Sequence, residues 1–209
     1  MLYAIVDPEQ TPGGDVVALA AQVLSGGASW LQLRAKNLPD DVLLSTAKAL
    51  AGLARGRARF FINDRADIAA LCGADGVHVG QTDLTVPDAR SALHAGQHVG
   101  VSTHHAAQVA RAVADGGDVL GFGPVFPSAT KTGHAPVTGI EGLRAAVLAA
   151  GGTPVIAIGG IGAHNAAACA AAGAHAVAVI GALAQAADPR AAARAILAAF
   201  NSGRRVGAP

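Results

Sequence analysis

Eight short apolar runs alternate with eight longer amphipathic segments along the 209-residue chain, with no linker-like stretch between halves. This pattern predicts an α/β fold, a single-domain (β/α)8 TIM barrel. Strict alternation implies parallel strands joined by right-handed crossovers, and 209 residues lies at the short end of what eight such units require. An open doubly wound sheet would carry a Gly-rich turn after its first strand. Here Val6 is followed by Asp7-Pro8-Glu9-Gln10, which is no such turn.

The expected strands are 2–6, 29–34, 59–63, 76–79, 98–102, 119–123, 154–158 and 176–180. Helical patterns fall between and after them at 15–24, 40–54, 66–71, 86–93, 106–114, 140–150, 163–172 and 190–200. Gly26-Gly27, Gly116-Gly117, Gly151-Gly152 and Gly173 sit where helices should end before the next strand. The domain is expected to span 1–209, with a frayed tail over 201–209.

Composition excludes several function classes. The chain is 52% hydrophobic but only 14% charged, against roughly 25% in an ordinary globular chain, which argues against disorder. Fifteen Lys and Arg against fourteen Asp and Glu leave a net charge of +1, with no basic stripe or aromatic platform for nucleic acid. Mean hydropathy is +0.41, yet the longest apolar stretch, 166–183, is mostly Ala and Gly and is interrupted by His175, so no membrane span is expected. No positively charged leader precedes Leu2, and a cytoplasmic location is expected. Cys72 and Cys169 are isolated and read as reduced thiols. The oligomeric state is left open, a homo-oligomer included.

A barrel keeps its chemistry at the C-terminal ends of its strands, so polar residues there are the candidates. Gln32, Arg34 and Lys36 alternate at the end of the second strand and are expected to face inward, where two cations call for an anion. Phosphate suits them, because Arg chelates it bidentately and Lys supplies a point charge. Asp64 and Asp83 end the third and fourth strand regions. Each could cap a helix, but two carboxylates beside a cationic strand end suggest Mg²⁺. His78 is either a satisfied core histidine or a ligand contact. Ser102 offers a hydroxyl, and His104-His105 could merely open a helix. The long loop Gly123 to Pro136, containing Ser128, Thr130 and Lys131, reads as an anion-binding lid. Gly159-Gly160 and Ile180-Gly181 end strands seven and eight, where exposed backbone N–H groups make the usual phosphate site of a barrel.

These motifs, in this order, resemble the thiamine phosphate synthase family and its relative, the thiazole tautomerase. The resemblance runs from Leu2 to about Phe200 through Gln32-Leu33-Arg34-Ala35-Lys36, Asn63-Asp64, Asp75 to Asp83, Gly100-Val101-Ser102, Gly123 to Lys131 and Ala157-Ile158-Gly159-Gly160-Ile161. It implies a Mg²⁺-dependent transferase joining hydroxymethylpyrimidine pyrophosphate to hydroxyethylthiazole phosphate. By the resemblance, Gln32, Arg34, Lys36, Asn63, Ser102 and Lys131 hold the pyrimidine substrate. Arg34, Lys36 and Lys131 then act catalytically on its pyrophosphate, and Asp64 and Asp83 carry the metal. Ser128, Thr130, Gly160, Ile180 and Gly181 receive the thiazole phosphate.

Three departures from the synthase pattern stand out. Ser128 replaces the usual Thr, Gly181 replaces a typical Ser, and the runs Ser102 to His105 and Lys131 to Pro136 look closer to the tautomerase branch. Pro124, however, occupies a place where a tautomerase can carry its working His. The alternative, an isomerase acting on the thiazole carboxylate phosphate, would need an acid–base group, for which His78, His104 and His134 are candidates. A non-catalytic precursor-binding protein and another sugar-phosphate barrel enzyme are the remaining readings.

Overall fold

The computed structural model describes residues 1–128 and 136–206. Thr130, Lys131 and His134 therefore lie outside the described residues. Eight parallel strands close into a barrel in chain order, with β8 paired back to β1 through Leu2 and Val177. The first half runs β1 (Leu2–Val6), α1 (Val16–Ser25), β2 (Trp30–Leu33), α2 (Asp40–Ala54), β3 (Arg59–Asn63), α3 (Ala66–Cys72), β4 (Gly76–Val79) and α4 (Val86–Ser91). The second continues β5 (His98–Thr103), α5 (Ala106–Ala114), β6 (Val119–Phe122), α6 (Gly139–Ala149), β7 (Val155–Ile158), α7 (Ala166–Ala171), β8 (Ala176–Val179), α8 (Gly181–Ala184) and α9 (Pro189–Val206). No helix among the described residues is long and apolar enough to cross a membrane.

Period-two alternation sorts each strand into an outward and an inward face. Leu31 and Leu33 of β2 point out and join the large core between barrel and helices. Trp30 points in, with Tyr3, Ile5, Phe61, Val119, Ile156, Ala176 and Ala178. Trp30 stacks on Phe61 at 5.3 Å and meets Tyr3 edge-on at 5.4 Å. Much of the chain's small aromatic content thus closes the lower barrel, and the polar inward positions are left for the opposite end.

Most boundaries move by a residue or more, and three differences from expectation are consequential. First, β2 stops at Leu33, so the row Gln32–Arg34–Lys36 is not one inward face. Gln32 is 3% exposed inside the barrel, whereas Lys36 lies in a turn beyond the strand with its side chain 47% exposed. Second, a four-residue helix, α8, follows β8 directly. Third, α9 starts at Pro189, fixed in place where Asp188 accepts from the Ala191 N–H, and continues past Phe200 to Val206. Residues 201–206 are helical, and a Cβ on Gly203 would come within 2.1 Å of the Ala167 carbonyl, so only glycine lets α9 approach α7 there; residues 207–209 of the expected tail lie outside the described residues.

Candidate active site

A cavity of about 690 Å³ opens at the C-terminal end of the barrel. It is lined from one side by Gln32, Arg34, Asn63, His78 and Ser102 and from the other by Ser128, Gly160, Ile180 and Gly181.

The cationic side begins at β1. Asp7 follows Val6 in the inward parity of Tyr3 and Ile5 and is only 1% exposed. Its carboxylate forms an ion pair with the Arg34 guanidinium and accepts the Glu9 N–H at 2.9 Å. Below it, Gln32 Nε2 donates to the Tyr3 hydroxyl at 2.7 Å, and burial pushes the Tyr3 phenol well above its ordinary range.

Neither acidic candidate caps a helix. The cap position of α3 is Arg65 and that of α4 is Thr85, whose hydroxyl accepts from the Asp88 N–H. Asp64 is instead in the left-handed region, φ 63°, with its N–H donating to the His78 carbonyl at 2.8 Å. That conformation is strained for a residue with a Cβ and persists where the surroundings impose it. It brings the Asp64 carboxyl beside Asp83, and Lys36 Nζ lies 3.1 Å from Asp64 Oδ2. Burial, followed by the neighbouring Asp83, raises the Asp64 carboxyl above its usual range, while Lys36 pulls it back. Asp83 is held in turn by the Gly80 N–H at 2.7 Å. Two adjacent hard-oxygen donors that repel each other when ionised fit Mg²⁺, which takes one or two carboxylates and fills its octahedron with water and substrate phosphate.

The remaining polar residues separate by role. His78 is buried on β4, and its Nε2 is 3.1 Å from Ser102 Oγ. His105 caps α5, as its place at the helix start suggested, while His104 Nδ1 donates to the Gly123 carbonyl at 2.6 Å. On the opposite side, Gly159 and Gly160 have φ 100° and 63°. A Cβ on Gly160 would meet the Pro127 carbonyl at 2.2 Å. These glycines do not open α7 directly, because Asn165 bridges the turn, donating to the Gly160 carbonyl and accepting from the Gly162 N–H. Gly181 does open α8, whose first amides have no intrahelical acceptor.

The structure thus brings Gln32, Arg34, Asn63, Ser102, Ser128, Gly160, Ile180 and Gly181 onto one cavity, whereas Lys36, Asp64 and Asp83 cluster with one another, Asp64 being next in sequence to Asn63, and are not among the residues that line it. Sequence reasoning missed Asp7, Tyr3, Gln81, His164 and Gln185. Asp7 carried a readable signal, since Tyr3, Ile5 and Asp7 share one parity. Gln81, whose Nε2 donates to the Ser102 carbonyl at 2.6 Å, carried none.

Fold and rim together define a (β/α)8-barrel enzyme equipped for phosphorylated small molecules. Residues 2–183 match the family model described as thiamine monophosphate synthase, and the chain belongs to that family. It is 45% identical to the thiamine-phosphate synthase of Anaeromyxobacter dehalogenans over 97% of this chain and 89% of that one. It is 44% identical to a putative thiamine-phosphate synthase of Geobacter sulfurreducens over 94% and 92%. The thiamine phosphate pyrophosphorylase of Pyrococcus furiosus superposes with a TM-score of 0.88 at 34% identity, covering 97% of this chain and 96% of that one. The family places the chain among the transferases of thiamine biosynthesis, and the tautomerase alternative is not favoured.

Proposed function

We propose that the protein condenses hydroxymethylpyrimidine pyrophosphate with hydroxyethylthiazole phosphate, releasing thiamine phosphate and pyrophosphate with Mg²⁺ as cofactor. The observation that carries this reading is the two-sided cavity. Gln32, Arg34 and Asn63 line one side, with Asp64, which follows directly on Asn63, and its neighbour Asp83 outside the lining, and the glycine turns at Gly160 and Gly181 stand on the other. A pyrophosphate suits the first side, where a guanidinium can chelate it bidentately. A monophosphate suits the second, where backbone amides at a helix start and the Ser128 hydroxyl can meet it.

In the reaction, the bond between the pyrimidine methylene carbon and the pyrophosphate oxygen breaks, and its electron pair leaves with pyrophosphate. The thiazole nitrogen lone pair forms the new carbon–nitrogen bond. Arg34 and Lys36 stabilise charge as it builds on the departing oxygens, the kind of preorganised electrostatics that dominates such steps. Lys131 and Thr130 belong to the same proposal by sequence alone. Asp64 and Asp83 would hold Mg²⁺, which when bound supplies charge neutralisation at the leaving group. Gln32 and Asn63 orient the pyrimidine side, and Ile180 packs at the thiazole side.

The test is thiamine phosphate formation from the two substrates with purified protein, with and without Mg²⁺. Stoichiometric pyrophosphate release that requires Mg²⁺ is expected. No product at saturating substrates overturns the reading.

A further inference from the structure

The strand register stacks His78 against Gly100 on β5 and sets Ser102 against Gly121 on β6. A Cβ on Gly100 would lie 2.4 Å from His78 Nδ1, and one on Gly121 would lie 3.1 Å from Nε2. The two glycines therefore make the slot that the imidazole fills, and the residue is 8% exposed. Its Nε2 faces Ser102 Oγ at 3.1 Å, while Nδ1 is buried and, among the described residues, has no hydrogen-bond partner.

A neutral imidazole has one N–H and one lone pair, and the two nitrogens cannot both donate. A proton on Nδ1 would bury an N–H with no acceptor, and orphaned buried donors are rarer in folded proteins than under-used acceptors. It would also make Ser102 the donor to Nε2, leaving only hydroxyl lone pairs toward an anionic substrate. We infer that His78 is a positioning residue that carries its proton on Nε2, donates it to Ser102 Oγ, and so turns the Ser102 hydroxyl proton into the cavity. There it donates to a lone pair of the pyrimidine pyrophosphate. The Ser102 carbonyl is engaged by Gln81, which fixes the backbone from which the hydroxyl projects. This inference rests on the synthase reading for the identity of the acceptor, but not for the tautomer.

Two experiments separate these parts. Nitrogen-15 NMR of the ligand-free, histidine-labelled full chain, with the His78 signals identified by their loss in His78→Gln, is expected to show a pyrrole-type Nε2 and a pyridine-type Nδ1. The opposite tautomer overturns the inference. In steady-state kinetics, His78→Leu should raise KM for the pyrimidine pyrophosphate about tenfold with a much smaller change for the thiazole phosphate. His78→Gln, which can still donate, should recover most of that loss. In a Ser102→Ala background, His78→Leu should add nothing further, and additive losses overturn the inference. If His78→Leu does not fold, the wild-type tautomer and the His78→Gln kinetics still decide it. Absence of turnover in the wild type defeats the synthase reading alone, because the tautomer is read without substrate.

Discussion

Asp7 and Arg34, 27 residues apart in sequence, form an ion pair at the lip of the barrel in which the carboxylate is 1% exposed and the guanidinium 20%. The Arg34 N–H also donates to the Val6 carbonyl at 2.9 Å, so strand pairing and the ion pair together fix where the guanidinium can point. Asp7→Ala removes the buried counter-charge and leaves Arg34 free to swing into solvent. The expected cost is about 2 kcal/mol of stability, below the ~3–5 kcal/mol of a fully buried pair because Arg34 is partly solvated. KM for the pyrimidine pyrophosphate should rise several-fold, whereas Arg34→Ala should lower kcat/KM by about 100-fold or more. Denaturant melts and initial-rate kinetics on both variants check this; an Asp7→Ala protein with wild-type KM and stability would show that the pair does not position Arg34.

The Asp64–Asp83 pair makes a prediction of mixed sign. Without metal, the carboxylates repel, so Asp83→Asn should leave the metal-free protein as stable as the wild type or slightly more so. With metal, the order reverses. Mg²⁺ at about 100 times its dissociation constant stabilises a folded protein by about 2.7 kcal/mol, and this gain should vanish in Asp83→Asn and in Asp64→Asn. Thermal melts with Mg²⁺ and with a chelator distinguish the two regimes. An Asp83→Asn protein that still gains stability from Mg²⁺ would place the metal elsewhere.

Burial lowers the His78 imidazole to about 4 from an ordinary 6.5. The unfolded chain therefore takes up a proton near pH 6.5 that the folded chain refuses until about pH 4. Stability from this group is complete above 6.5 and falls as pH drops through that window. At about 1.4 kcal/mol per pH unit, the loss by pH ~5 is about 2 kcal/mol. His78→Gln does not titrate and should lose correspondingly less between pH ~7.5 and pH ~5, as read from urea midpoints. Parallel pH profiles for the two proteins would count against a buried, neutral His78.

The barrel was legible because its signals are local. Runs such as Leu2–Val6 and Arg59–Asn63 end at polar or turn residues, and the structure keeps both limits unchanged. The row Gln32–Arg34–Lys36 was legible as chemistry but not as geometry. Alternation cannot show where a ladder stops, and β2 stops at Leu33; Arg34 then turns to Asp7 and Lys36 to Asp64. Both partners are distant in sequence, and residue type alone does not disclose such pairings. Trp30 lies inside the barrel, because the parity that sends Leu31 and Leu33 outward turns it inward. Asp188-Pro189, a cap followed by proline at the first helical position, marked the true start of α9, but the apolar pattern drew the boundary one residue later.

Gly181 offers a gain-of-function test of the thiazole side. It is the first residue of α8, its neighbour Ile180 provides no side-chain cap, and its φ is not among the positive values found at Gly159 and Gly160. A side chain is therefore compatible with its backbone, and serine is a better helix former than glycine by a few tenths of a kcal/mol. Gly181→Ser would add a hydroxyl at the start of the helix, where it can donate to a phosphate beside the backbone amides. KM for the thiazole phosphate should fall several-fold with little change for the pyrimidine pyrophosphate. Gly160→Ala should do the reverse. At φ 63° its methyl group would meet the Pro127 carbonyl at 2.2 Å, so KM for the thiazole phosphate should rise by at least about tenfold, with a loss of stability above ~1 kcal/mol. The two variants act on opposite ends of the same anion site, so both should change the thiazole KM and neither the pyrimidine KM. Equal effects on both substrates would mean that the glycine turns shape the barrel rather than bind its second substrate.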